Sequence, residues 1–254
     1  MKDKSAKASE MGFLDHLEEL RWRILKSLFS VVLFAILSFV FSDFFIDLLI
    51  IPSKSLNPDM TIQVLKVQGM LMLKLWVAFA MGIVFSIPVI GYQFWAFVTP
   101  GLYKSEKNWA PWLVISVTIF FLLGALFAYF VIVPFALKFL IGLGAPEVHK
   151  NISINYYAKF VMQLIIAAGL IFQMPVLSFI LTKMGLITPV LLKKYWRYAV
   201  IVILVLAAFI TPPDPVSMIM MCIPLLFLYE FSVFVSKLAL KSSGENQEEE
   251  SPAG

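Results

Sequence analysis

The residues best equipped to recognise a charged ligand sit at the edge of an apolar run. His16-Leu17-Glu18-Glu19-Leu20-Arg21-Trp22-Arg23 packs both signs of charge into eight residues and leads directly into an apolar stretch from Ile24 onward. On a helix, Glu19 reaches Arg23 at i,i+4 and Glu18 reaches Arg21 at i,i+3. Leu17, Leu20, Ile24 and Leu28 share the opposite stripe. One reading is self-paired charge at a water–lipid boundary, with Trp22 as an interfacial belt residue. The other is a carboxylate facing a groove and accepting a cation from outside.

A second carboxylate bears on that choice. Phe97-Val98-Thr99-Pro100-Gly101-Leu102-Tyr103-Lys104-Ser105-Glu106 ends one apolar run at Pro-Gly and opens a short charged loop. Taken alone it is an ordinary loop with solvated Lys104 and Glu106. On the same membrane face as Glu19, it supplies two carboxylates among apolar and aromatic side chains. Such a site suits a guanidinium-bearing ligand, because the planar fork of Arg can bond both oxygens of a carboxylate and Lys cannot. At ~1.5–3 kcal/mol per charge-assisted bond, two contacts supply about 3–6 of the ~8 kcal/mol of micromolar-range recognition, the apolar surroundings adding the rest.

The elements that position these residues are membrane spans. Of the 254 residues 61% are hydrophobic and 14% charged, and the mean hydropathy is +0.90. A soluble domain could not cover that much apolar surface. The apolar runs are continuous, which excludes a membrane β-barrel with its alternating pattern. The fold class is all-α, with six spans near 24–45, 71–97, 111–133, 157–181, 198–210 and 216–235. The fifth is short for a core of ~30 Å, and Thr211-Pro212-Pro213-Asp214-Pro215 forces a tight hairpin into the sixth. Fourteen of the twenty lysines and arginines fall on the side of the N-terminus, giving N-in and C-in. Three parts result: an amphipathic segment over 1–23, a membrane domain over 24–235, and an acidic tail over 236–254 expected to be disordered.

Inside the spans polar groups are few. Gln173 falls mid-span in the fourth and needs a partner, so it faces other helices or a water-filled hollow rather than lipid. Gly124 and Ala128 are spaced for close helix contact. Cys222 reads as a small core residue. His16 and His149 lie on opposite sides and cannot share a metal. No hydrolase, nucleotide-binding or metalloprotease motif occurs, so no catalytic residues, metal or cofactor are expected. The net charge of +4 reflects orientation rather than a nucleic-acid partner. A small-solute secondary transporter is the alternative. It predicts repeated halves and polar clusters at the midplane, and neither is seen.

The ordered motifs resemble those of the TatC family, receptor subunits of the twin-arginine protein translocase. They are His16 to Arg23; Tyr92-Gln93-Phe94-Trp95-Ala96-Phe97 leading into Pro100 to Glu106; Phe127-Ala128-Tyr129-Phe130; and Thr211-Pro212-Pro213-Asp214. The resemblance implies a multi-pass protein of the prokaryotic cytoplasmic membrane. It would bind paired arginines of signal peptides on folded cargo at the cytoplasmic face. It would also assemble with single-span TatA- and TatB-type partners and with further copies of itself, in a process driven by the proton-motive force. By position, Glu19 and Glu106 would take the arginines. Phe97, Leu102, Tyr103 and Lys104 would shape the patch, and Arg21 would order it. Pro52, just after the first span, matches the family's outer-loop proline, and Tyr129 and Asp214 match positions linked with function in the family. Gln173 departs from the glutamate of many relatives, and Gln68 and Met218 also replace more polar residues. The resemblance therefore implies a less acidic hollow here.

Overall fold

Continuous apolar sequence with good helix formers gives long helices, and proline decides where they bend. A computed structural model of the chain describes residues 2–56, 61–98, 110–142, 151–210 and 215–249. Helix α1 spans Lys2–Val40 and is followed after a turn at Phe41 by α2, Ser42–Leu56. Next come β1, Thr61–Gln63, and α3, Gly69–Val98. Helix α4, Ala110–Phe127, passes through a π-helical turn at Ala128–Ile132 into α5, Val133–Gly142. Strand β2, Asn151–Ser153, leads into α6, Ile154–Ile171, and α7, Met174–Lys183. Helices α8 (Pro189–Lys194), α9 (Trp196–Ile210) and α10 (Pro215–Glu249) complete the chain.

Five helical stretches are long and apolar enough to cross a membrane, and α9 is the shorter sixth apolar helix. At ~1.5 Å per residue its 15 residues reach about 22 Å, short of a core of ~30 Å. Helix α3 lies along α1 and α4, α4 lies on α6, and α10 packs on α7 and α9. The glycines mark the tightest crossings. A Cβ on Gly124 would stand 2.7 Å from the Ala168 carbonyl oxygen, and one on Gly169 would stand 2.6 Å from the Phe121 ring. Gly124 was expected to permit such contact; its counterpart Gly169 was not singled out. Gly82 lets α3 meet α1 at Ala35, where an added Cβ would come within 2.8 Å.

Several boundaries differ from the sequence reading, most of them at prolines. Pro175 has no N–H to donate to Ile171, and the fourth span breaks at Phe172–Gln173 instead of running from 157 to 181. Before Pro134 the helix widens to a π turn, with the Val133 N–H donating to the Ala128 carbonyl. The third span then continues to Gly142 rather than stopping near 133. The first span ends at Val40, and Pro52 lies buried inside α2, not in a loop. Two three-residue strands, paired in parallel as Thr61↔Asn151 through Gln63↔Ser153, join the outer loops of an otherwise helical chain. Finally, α10 continues to Glu249, where the tail from 236 onward was expected to be disordered. Its Lys, Gln and Glu are competent helix formers that extend a helix already nucleated.

Pro52 explains a further set of contacts. Lacking an N–H, it leaves the Leu48 carbonyl, four residues earlier, without its helical donor. The Tyr129 hydroxyl donates to that oxygen at 2.7 Å. Tyr157 donates to the Leu49 carbonyl at 2.7 Å, and Ser53 to the Ile50 carbonyl at 2.6 Å. The π turn thus supplies through Tyr129 the donor that the helix cannot, and Tyr157 of α6 adds a second bond to the neighbouring carbonyl.

Candidate ligand-binding site at the ends of α1 and α3

The charged segment forms part of a continuous helix, so Glu19 and Arg23 face the same side one turn apart. Arg23 Nε donates to Glu19 Oε1 at 3.0 Å, and its Nη2 donates to the same oxygen. Among the described residues the second oxygen, Oε2, has only His16 Nδ1 nearby, at 3.7 Å. Hydrogen bonding by Arg23 holds the Glu19 carboxyl below its ordinary range, against a smaller opposing effect of desolvation. This segment precedes the apolar run that starts at Ile24. Leu17, Ile24 and Leu28 are exposed on the lipid-facing side. Glu18 and Arg21 are also exposed and form no ion pair with each other, contrary to their i,i+3 spacing. Two long side chains in water gain little by pairing.

The His16 ring stacks on Phe97, with centroids 4.3 Å apart and planes 13° from parallel. This contact ties the start of the first span to the end of the second, so both lie on one face of the membrane. It also sets Phe97 one helical turn from Glu19. Sequence reasoning found Phe97 and Glu19 separately but missed His16 as the link, for which no local signal was available. Of the remaining candidates, Leu102, Tyr103, Lys104, Glu106 and Asp214 lie outside the described residues.

Beside this pair the inner ends of α3, α4 and α7 close a small apolar cluster of Trp95, Leu113, Val176 and Ile180. Leu113 and Val176 also border a cleft of about 340 Å³ lined by Trp112, Phe120, Phe179 and Phe231. Farther along, Gln173 Nε2 donates to the Val117 carbonyl at 3.0 Å, the interhelical bond expected of a mid-span amide. Its Oε1 is buried without a partner. Among the described residues no group of three or more His, Cys, Asp or Glu could hold a metal ion.

Comparison with known proteins decides the family. The model of the Sec-independent protein translocase protein TatC matches residues 15–224. The chain belongs to the TatC family. TatC of Aquifex aeolicus is 36% identical over 239 residues, covering 93% of this chain and 99% of the relative. TatC of Campylobacter jejuni is 41% identical over 223 residues, covering 87% and 91%. A crystal structure of the twin-arginine translocase receptor TatC superposes with TM-score 0.80 at 37% identity, covering 89% of this chain and 99% of that one. The chain is thus a multi-pass inner-membrane translocase component, and a small-solute transporter is not supported.

Proposed function

We propose that this chain is the receptor of a twin-arginine translocase, binding signal peptides of folded cargo at its cytoplasmic face through Glu19 and Glu106. The observation that carries the reading is the state of Glu19. One oxygen is occupied by the chain's own guanidinium, and among the described residues the other has no closer donor than His16 at 3.7 Å. The site is already built for guanidinium. An incoming arginine can bond the free oxygen or displace Arg23, exchanging one charge-assisted pair for another. Phe97, fixed by His16, lines the approach with Leu102, Tyr103 and Lys104, and Arg21 orders the patch electrostatically. The apolar cleft bounded by Trp112, Phe179 and Phe231 offers a lodging for the apolar stretch that follows the arginine pair.

In this reading the segment 1–23 carries half of the receptor site, 24–235 forms the membrane domain, and 236–254 is a cytoplasmic extension. Assembly with TatA- and TatB-type single-span proteins uses α9, whose Ile201, Val202 and Val205 are exposed along one side. Copies of the chain associate in the same complex. Pro52, Tyr129, Gln173 and Asp214 act structurally or toward partners, and the chain itself catalyses no covalent step.

The test is cross-linking from photoreactive groups placed near Glu19 and Glu106 to signal peptides. A twin-Arg peptide labels both positions, and its twin-Lys version labels them at least about tenfold less. Equal labelling by the two peptides overturns guanidinium recognition.

A further inference from the structure

The far ends of α3 and α6 form a second polar site on the face opposite Glu19. Since Phe97 closes α3 beside His16, the start of α3 at Gly69 lies at the outer surface. There a cleft of about 280 Å³ is lined by residues that include Lys66, Gln68, Trp76, Asn155, Tyr156 and Lys159. Among the described residues no Asp or Glu lines it. Both helices begin at this cleft, α3 at Gly69 and α6 at Ile154. Two positive helix ends therefore add to two lysines. The N-cap of α6, Ser153, makes no side-chain capping bond.

The cleft is built, not incidental. Strand pairing of 61–63 with 151–153 brings the two helix starts together. The Gly69 N–H donates to the Lys66 carbonyl at 2.8 Å, which turns Lys66 toward the helix start. Gly69 has no Cβ because one would stand 2.8 Å from Asn155 Nδ2. Lys159 lies over the Trp76 ring, 5.8 Å from its centroid, which orients the ammonium group. Asn155 Oδ1 is shut off from solvent and has no hydrogen-bond partner among the described residues. A turn of that amide presents it to a donor arriving in the cleft.

We infer that this cleft binds the headgroup of an anionic glycerophospholipid of the outer leaflet, of the phosphatidylglycerol type. The phosphodiester sits between Lys66, Lys159 and the two helix starts. A headgroup hydroxyl donates to Asn155, and the acyl chains run down Met72 and Trp76, which are 44% and 51% exposed to lipid. Two cations without a carboxylate favour a net negative headgroup over a zwitterionic one. Positive-inside topology does not account for these lysines, because they lie outside. The inference is independent of the receptor reading.

The test is native mass spectrometry of the full chain in detergent with added phosphatidylglycerol or phosphatidylcholine. The wild type retains phosphatidylglycerol about tenfold more than phosphatidylcholine, and Lys66→Gln with Lys159→Gln removes the difference. Lys66→Arg with Lys159→Arg keeps it, as does the control pair Lys54→Gln with Lys138→Gln. Equal retention of the two lipids overturns the inference, and so does equal loss in the control pair. Displacement by millimolar inorganic phosphate also overturns it, since the site would then serve a soluble anion. If the Gln pair does not fold, loss of the preference in the Arg pair has the same overturning force.

Discussion

Replacing Tyr129 by Phe removes one hydroxyl and leaves the Leu48 carbonyl without the donor that Pro52 denied it. The bond is 2.7 Å long and joins residues 81 apart in sequence, so it holds α2 to the π turn. Hydrogen bonds between membrane helices average ~0.6 kcal/mol, with a maximum near ~1.7. A carbonyl left unpaired adds to this, so the expected loss is about 1–2 kcal/mol. The reasoning makes a sharper claim about the double variant. In a Pro52→Ala background residue 52 regains its N–H, and Leu48 regains a helical donor. Tyr129→Phe should then cost no more than about 0.5 kcal/mol, giving a coupling near 1 kcal/mol, above the ~0.3–0.5 kcal/mol scatter of independent sites. Tyr157→Phe is the internal control. Its acceptor, the Leu49 carbonyl, has Ser53 four residues on, with an N–H in both backgrounds. The assay is equilibrium unfolding in mixed micelles with rising denaturing detergent, run on all four members of each cycle. Additive behaviour of Pro52 and Tyr129, or equal coupling for Tyr157, refutes the account.

Other outcomes follow from the same structure. Gly124→Val drives a side chain against Ala168 and Gly169; it should lower stability by about 1–3 kcal/mol or more, read from the unfolding midpoint. Gln173→Leu deletes the bond to Val117 and should cost about 1 kcal/mol without affecting peptide cross-linking at Glu19. Arg23→Gln frees Glu19 and should strengthen twin-Arg peptide binding, whereas Glu19→Gln should weaken it about tenfold or more by peptide titration. Because Arg23 depresses the Glu19 pKa, the Glu19–Arg23 attraction is fully present above the ordinary glutamate value. It is lost only as pH falls through the lower folded value. Peptide binding should therefore persist at pH 5 and fail on further acidification; a loss centred above pH 5 would contradict the pairing.

The sequence made the helices legible because their apolar runs are long, and it made the Glu19–Arg23 pair legible because i,i+4 geometry is local. Prolines 134 and 175 were visible too, yet a run of apolar residues says nothing about whether a helix absorbs a proline by bending, widening or breaking. That outcome depends on which neighbours can take up the freed carbonyls. The His16–Phe97 stack was illegible for a different reason: it joins residues 81 apart, and nothing in either local pattern points to the other. The same holds for the outer cleft, where two unremarked lysines meet only because two short strands pair.

The break at Phe172–Gln173 divides the fourth span between two neighbourhoods. Helix α6 is packed on α3 and α4, while α7 is packed chiefly on α10. The span therefore behaves as two beams pinned end to end, not as one rod. A force applied to α10 passes directly into α7, and through the cluster that Val176 and Ile180 share with Trp95 and Leu113 it reaches the inner ends of α3 and α4. The last hairpin is thereby coupled to the inner end of α3, two residues from Phe97. Movement of the hairpin is therefore felt at the recognition end through α7, whose start at the 172–173 turn leaves it free to pivot on α6.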